Sequence, residues 1–165
     1  MKTNNPAEKS DAPIRILVTF HSQSGNTRRM AEAVAEGVGQ TEGAEPVLKQ
    51  ACDTVADDMR GCRAMVICSP EYFGYMAGAV KDLFDRTYEQ LREEPAMRKL
   101  PYAIVISAGN DGTGALTHIE RILKGYRLKK VQHPIITKGP ITGEALSLCV
   151  EMGKTIAEGV RAGVF

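Results

Sequence analysis

Hydroxyl, amide and glycine residues are concentrated in one short segment near the start of the chain, Ser22-Gln23-Ser24-Gly25-Asn26-Thr27. It follows a β-branched apolar run, Ile14 to Phe20, and precedes apolar residues at helical spacing, which indicates a strand, a loop and a helix. Backbone N–H groups and the helix dipole would converge on an anion at this point. An ordinary turn needs one capping residue, so the segment predicts binding of a phosphate monoester.

Two further segments carry residues suited to a planar ligand. The stretch from Ser69 to Met76 holds three of the nine Tyr and Phe residues of the chain. Exposed aromatic side chains can stack on a planar ligand or line the side of its site. The alternatives are that they cover the edge of the sheet or form a contact between subunits. The stretch from Ser107 to Gly114 holds three glycines, which allow the backbone to approach a ligand closely unless the loop is merely flexible.

Several classes of site are excluded by missing motifs. The chain has no Walker A sequence, no Gly-x-Gly-x-x-Gly after its first strand and no Cys-x5-Arg phosphatase loop. Its 21 basic and 20 acidic residues leave a net charge of +1, too balanced to favour nucleic acid or anionic lipid. Four cysteines without a Cys-x-x-Cys pair or metal-ligand spacing predict no metal and a reducing, cytoplasmic location.

Five strand-helix alternations organise the chain. The strand candidates are Ile14–Phe20, a short run near Val47, Ala64–Cys68, Pro101–Ser107 and His133–Thr137. Their continuous apolar character predicts a parallel sheet covered by helices on both faces, an α/β fold. The two weakest strands belong at the edges, which gives the order 2-1-3-4-5 and places a ligand between strands one and three. Residues 1–12 are predicted to be a disordered tail and residues 13–165 a single domain, with no apolar run long enough for a membrane span.

The first two of these segments resemble those of a known protein family. The first segment is similar to the FMN phosphate loop of flavodoxins. Ser69-Pro70-Glu71-Tyr72-Phe73-Gly74-Tyr75-Met76-Ala77-Gly78, with Lys81 and Asp85 beyond, resembles the ring-binding loop of NADPH-dependent FMN reductases and flavodoxin-like quinone reductases. The resemblance spans about residues 14–162 and implies a flavodoxin-like three-layer αβα sandwich that binds FMN and takes electrons from NAD(P)H.

The resemblance also implies a set of cofactor-binding residues, and no catalytic residue. The implied residues are Ser22, Gln23, Ser24, Gly25, Asn26 and Thr27 at the phosphate, Pro70, Glu71, Tyr72, Phe73 and Gly74 beside the isoalloxazine, and Ser107, Ala108, Gly109, Asn110, Asp111, Gly112 and Gly114 beside its pyrimidine side. Glu71 is a candidate for tuning the flavin, and His118 is expected on the surface. The roles of Arg28 and Arg29 stay open between a second phosphate contact and simple solvation.

Two departures from flavodoxins favour an enzyme. The third loop has no aromatic residue between Ala108 and Ala115, so one flavin face should be open, and the chain is nearly neutral where flavodoxins are acidic. We therefore expect an FMN-dependent NAD(P)H oxidoreductase that passes hydride or electrons to a small-molecule quinone, flavin or similar acceptor. A flavodoxin-type electron carrier and a scaffold acting through partner contacts are the alternatives. The resemblance further implies a homo-oligomer.

Overall fold

The computed structural model describes residues 12–165, so the predicted tail lies outside the described residues except for Ala12. The strands are β1 Ile14–Phe20, β2 Ala44–Gln50, β3 Ala64–Tyr72, β4 Tyr75–Met76, β5 Pro101–Ala108, β6 Lys129–Lys130 and β7 Ile135–Lys138. The helices are α1 Asn26–Gly39, α2 Ala56–Arg60, α3 Gly78–Leu91, α4 Thr113–Gly125 and α5 Gly143–Arg161, with a 3₁₀ turn at Pro95–Met97.

The parallel strands run in the order β2-β1-β3-β5, with β6 and β7 both paired to the remaining side of β5. This confirms the predicted α/β fold and the order 2-1-3-4-5. The last predicted strand, His133–Thr137, corresponds to β7, which pairs with the end of β5 from Val105 to Ala108. The short strand β6 was not predicted and pairs with the start of β5. Pro134 lies in the gap between these two strands and has no N–H to donate to a strand ladder, which accounts for a break at the edge of the sheet.

Helices cover both faces of the sheet and give three layers. Alternate residues of β1 enter different cores: Ile16 and Val18 pack with α1 and α5, whereas Leu17 packs with α2, α3 and α4. Strands that are buried on both faces must be largely apolar, and β1, β3 and β5 are apolar at most positions. Within residues 12–165, no helix combines the length and the apolar character that crossing a membrane requires.

The segment from Ser69 to Met76 is a β-hairpin rather than the expected loop. β3 continues beyond Cys68, its last residue paired with β1, and folds back so that Tyr72 lies opposite Tyr75. The two turn residues, Phe73 and Gly74, have φ of 52° and 69°, and two positive φ angles are what the type I′ hairpin turn requires. The aromatic residues expected on a loose loop are therefore held on a rigid element.

Candidate functional site

Four loops meet at the carboxyl edge of the sheet and surround a cavity of about 450 Å³. It is lined by Ser24, Asn26, Pro70, Glu71, Tyr72, Ser107, Ala108, Gly109, Gly139 and Pro140. The first eight belong to the predicted set of cofactor-binding residues. Gly139 and Pro140 were not predicted, although β7 is parallel to its neighbours, so its carboxyl end has to reach the same edge.

The first loop is built by hydrogen bonds among its own residues. Gly25, at φ 94°, caps α1 and donates its N–H to Ser22 Oγ at 3.1 Å. The Thr27 hydroxyl is buried and lies 2.7 Å from the Ser107 hydroxyl, which joins the loop to the end of β5. Ser22, Gly25 and Thr27 do not line the cavity, and Gln23 is exposed outside it. Of the six predicted phosphate residues, Ser24 and Asn26 line the cavity.

The N-terminus of α1 is left open. It has neither a side-chain cap nor an acidic residue in its first turn. Within the described part of the chain, the N–H groups of Asn26, Thr27 and Arg28 donate to no backbone or side-chain acceptor. Uncompensated N–H groups at a helix N-terminus form an anion site because the helix dipole adds to them. The Arg28 guanidinium lies 5.2 Å from the centre of the Phe20 ring, beside this turn.

The N-terminus of α4, on the other side of the cavity, is closed by two carboxylates. Glu71 accepts the N–H of Gly112 at 3.2 Å and that of Ala115 at 3.1 Å, one on each carboxylate oxygen. Asp111 accepts the N–H and the hydroxyl of Thr113 at 3.0 and 2.8 Å. These two bonds lower the pKa of Asp111, with Lys138 as a further cause. Asp111 and Gly112 therefore cap α4, and Glu71 joins the hairpin to the third loop.

The hairpin is held in place by contacts with the start of α3 and with α4. The buried Ser69 hydroxyl donates to the Pro70 carbonyl at 2.8 Å and accepts the N–H of Ala77 at 3.0 Å, which ties β3 to the start of α3. On the outer side, the Gly74 carbonyl packs against Gly114 of α4. Gly114, which belongs to the predicted set of cofactor-binding residues, thus contacts the hairpin. Ser69 was not among the predicted residues, and a hydroxyl directly before a strand-ending proline carried no specific signal.

The aromatic residues of the hairpin point in different directions. The Tyr72 ring meets His21 edge-on with centroids 6.2 Å apart, and burial raises the pKa of Tyr72. Phe73 is fully exposed at the tip of the turn. The Tyr75 ring lies 4.4 Å from the ring of His118. His118 is half-buried, where a surface position was expected, and its Nδ1 is 2.7 Å from the Gly114 carbonyl oxygen.

Solved structures share this fold over nearly the whole chain. A flavodoxin from the domain Archaea superimposes with a TM-score of 0.77 at 23% identity, over 89% of this chain and 99% of that one. The WrbA-like flavodoxin from Agrobacterium tumefaciens gives a TM-score of 0.75 at 17% identity, over 90% of this chain and 98% of that one. At such identities the likeness establishes the fold alone.

Curated relatives match part of the sequence. An NAD(P)H dehydrogenase (quinone) from Syntrophobacter fumaroxidans is 31% identical over 98 residues, 45% of this chain and 48% of the relative. A flavodoxin from Aquifex aeolicus is 34% identical over 71 residues, 43% of this chain and 38% of the relative. The chain thus spans about half the length of the quinone dehydrogenases it matches. Residues 14–137, which include the loops after β1, β3 and β5, match the family model described as NADPH-dependent FMN reductase, and the chain belongs to that family.

Proposed function

We propose that the chain binds FMN in the cavity at the carboxyl edge of the sheet and passes hydride or electrons from NAD(P)H to a small acceptor, a quinone or another flavin. The observation that carries the proposal is the open first turn of α1 at the rim of this cavity. The volume of about 450 Å³ is within the range of small-molecule sites. The family and the names of the quinone dehydrogenase relatives support the donor and the class of acceptor.

The phosphate of FMN fits the first turn of α1. The N–H groups of Asn26, Thr27 and Arg28 would donate to its oxygens, and Ser24 and Asn26 line the cavity. The helix dipole favours a dianion here because no carboxylate occupies the turn. The other predicted residues of this loop do not line the cavity, and they would contribute by keeping the loop backbone in its conformation.

The ring of FMN fits the space between the hairpin and the third loop. Pro70 and Tyr72 line one side, and the small residues Ala108 and Gly109 line the other. Because no aromatic side chain comes from the third loop, that loop leaves a bound ring open to a nicotinamide. The resemblance to reductases and the cavity lining support the same arrangement.

Bound FMN would supply the redox chemistry, since its isoalloxazine accepts a hydride and gives electrons to an acceptor. The chain itself would bind, orient and exclude water. The phenol of Tyr72 is protonated at neutral pH, as in any tyrosine, and can donate a hydrogen bond; burial raises its pKa further. Both oxygens of Glu71 already accept N–H groups of α4, so we assign Glu71 a positioning role and no proton transfer.

A charge placed in the first turn of α1 tests the phosphate site. Asn26→Asp puts a carboxylate at a helix N-terminus, which favours the helix by about 0.3–1 kcal/mol and preserves the fold. We expect FMN affinity to fall at least about tenfold through charge repulsion, and affinity for riboflavin, which has no phosphate, to stay nearly constant. Gln90→Glu, the same change from amide to carboxylate at an exposed position of α3 outside the cavity, is the control. An equal loss for both flavins, or no loss, would exclude the phosphate from this turn.

A flavodoxin-type electron carrier is the second candidate. The match to a flavodoxin from Aquifex aeolicus supports it. Such a carrier would bind FMN in the same cavity but would not consume NAD(P)H. Steady-state oxidation of NADPH or NADH by the FMN-loaded chain separates the two candidates, with free FMN as the reference.

A further inference from the structure

A second cavity, of about 310 Å³, lies at the edge of the sheet opposite the FMN cavity. It is surrounded by the starts of β3 and β5 and by the end of α5. Its lining consists of Arg60, Cys62, Arg63, Ala96, Arg98, Lys99, Leu100, Pro101, Val160, Gly163 and Phe165. Four of these side chains are basic and none is acidic, so the cavity is a concentrated positive site on a chain whose net charge is only +1.

Three of the four basic side chains are not neutralised by the protein. Arg60 pairs with Asp57 and, at 3.2 Å, with Glu94. Arg63, Arg98 and Lys99 are exposed, and no carboxylate of residues 12–165 lies within ion-pair distance of them. None of the three lies in an α-helix, and of the three only Arg98 directly follows a helical segment, the 3₁₀ turn at Pro95–Met97, whose C-terminus favours a positive charge. Like charges around one small space repel each other, and a bound anion would relieve that repulsion.

The backbone at the rim of this cavity is also unusual. Lys99 has a φ of 62°, a left-handed conformation that is uncommon for a residue with a Cβ. Its N–H donates to the Arg127 carbonyl at 2.9 Å, and Arg127 itself has a φ of 62°. The fold thus holds two basic residues in a disfavoured conformation at the same edge. Strain of this kind persists where the surrounding structure enforces it, often at functional sites.

We propose that this cavity binds a phosphate monoester with a compact apolar body. Two guanidinium groups and an ammonium group provide charge and hydrogen-bond donors for a phosphate dianion, and guanidinium groups match its oxygens in pairs. The buried side chains of Cys62, Leu100 and Val160 give the cavity an apolar floor. A charged rim above an apolar floor fits a ligand with an anionic head and a small apolar body.

The proposed site is independent of the FMN site. Arg63 precedes β3 and Pro70 lies near its end, a distance of roughly 25 Å at the usual rise of a strand. Substitutions at one edge therefore leave the other edge intact. The Asn26→Asp variant, which closes the phosphate site of α1, distinguishes binding at the two places.

Titration of the FMN-loaded full chain with 1-naphthyl phosphate, followed by calorimetry, tests the proposal, because bound FMN occupies the phosphate site of α1. We expect Arg63→Gln combined with Arg98→Gln to weaken binding at least tenfold, since both residues are exposed and the fold should tolerate them. Arg121→Gln combined with Lys154→Gln removes the same charge from exposed helix positions outside the cavity and should change affinity less than twofold. The Asn26→Asp variant without FMN, whose α1 phosphate site is weakened, should bind the ester as tightly as the FMN-loaded unmodified chain.

Four further probes distinguish a small phosphate ester from other anionic or aromatic ligands. Inorganic phosphate should bind more weakly than the naphthyl ester, and 1-naphthol should not bind, because head and body both contribute. Equal affinity in both double variants would show that the ester binds elsewhere and would overturn the proposal. Binding of phosphatidylserine vesicles or polyglutamate without binding of the small ester would also overturn it, in favour of a surface for macromolecules.

Discussion

The carbonyl oxygen of Gly74, at the tip of the hairpin, occupies the place where a Cβ on Gly114 would stand. No other residue fits at position 114 unless the hairpin or α4 moves, because the obstacle is backbone rather than a flexible side chain. The hairpin side of the candidate FMN cavity is therefore positioned by contact between two glycines. This contact lies outside the cavity itself.

Gly114→Ala should separate the hairpin from α4. We expect a loss of at least about 2 kcal/mol in the free energy of unfolding, the usual size of an overpacking effect, together with weaker FMN binding. Urea denaturation and FMN titration measure the two quantities. Gly78→Ala is the control, because a Cβ on Gly78 meets nothing within 4 Å. Unfolding free energies that agree between the two variants would show that the contact does not constrain the hairpin.

Glu71→Gln should weaken the connection between the hairpin and the third loop. The amide can accept one of the two N–H groups that Glu71 accepts from Gly112 and Ala115, but its NH₂ group then faces the other. We expect a loss of about 1–2 kcal/mol in stability and a lower affinity for FMN. Glu144→Gln, in the first turn of α5, is the comparison, since Thr142 caps that helix. Unchanged stability and unchanged FMN affinity in Glu71→Gln would show that Glu71 does not position the hairpin.

The buried pair of Thr27 and Ser107 should show energetic coupling. Thr27→Val leaves the Ser107 hydroxyl without the partner 2.7 Å away, at a cost of about 1–3 kcal/mol. The double variant Thr27→Val with Ser107→Ala removes both hydroxyls, so its loss should be smaller than the sum of the single losses by about 1 kcal/mol. Additive losses in urea denaturation would contradict the bond. Since Thr27→Val keeps the backbone N–H, FMN affinity should fall less than in Asn26→Asp.

The ion pair between β2 and α2 should make stability depend on pH. Burial acts to raise the pKa of Asp58, but Lys49 Nζ at 2.7 Å and the Val55 N–H at 2.9 Å outweigh burial and hold the pKa below its usual value of 3.8. A lowered pKa stabilises the fold above the unfolded value and loses that effect as pH falls through the folded value. The stability gap between the unmodified chain and Asp58→Asn should therefore be full at pH 7 and shrink below about pH 4. Asp85→Asn, at an exposed ion pair, should show a much smaller gap at both pH values. A gap for Asp58→Asn that does not change with pH would contradict the assignment.

The strand order and the position of the cavity were predictable because they follow from apolar patterning. β1, β3 and β5 are apolar at nearly every position, which requires a sheet covered on both faces, and parallel strands must end at one edge. The shortness of the apolar run near Val47 correctly placed β2 at an edge of the sheet. Local composition was sufficient in these cases.

The hairpin and the role of Gly114 could not be predicted from local composition. Ser69-Pro70 indicated the end of a strand, but β3 continues through Pro70 and pairs with β5 there. The pairing of β3 with β1 has already ended at Cys68, so no bond to β1 is lost at the proline. A positive φ at Phe73 had no signal either, because aromatic residues rarely adopt it. The contact between Gly74 and Gly114 joins residues far apart in the chain, and only the folded arrangement distinguishes it from contact with a ligand.

The central claim is tested most directly by anaerobic stopped-flow absorbance of the FMN-loaded chain mixed with NADPH and, separately, with NADH. We predict that the flavin absorbance is lost at least about a hundredfold faster than for free FMN with one of the two nucleotides, because the protein holds donor and flavin in contact. A rate equal to that of free FMN with both nucleotides, in a protein that binds FMN tightly, would contradict the oxidoreductase and favour the electron carrier.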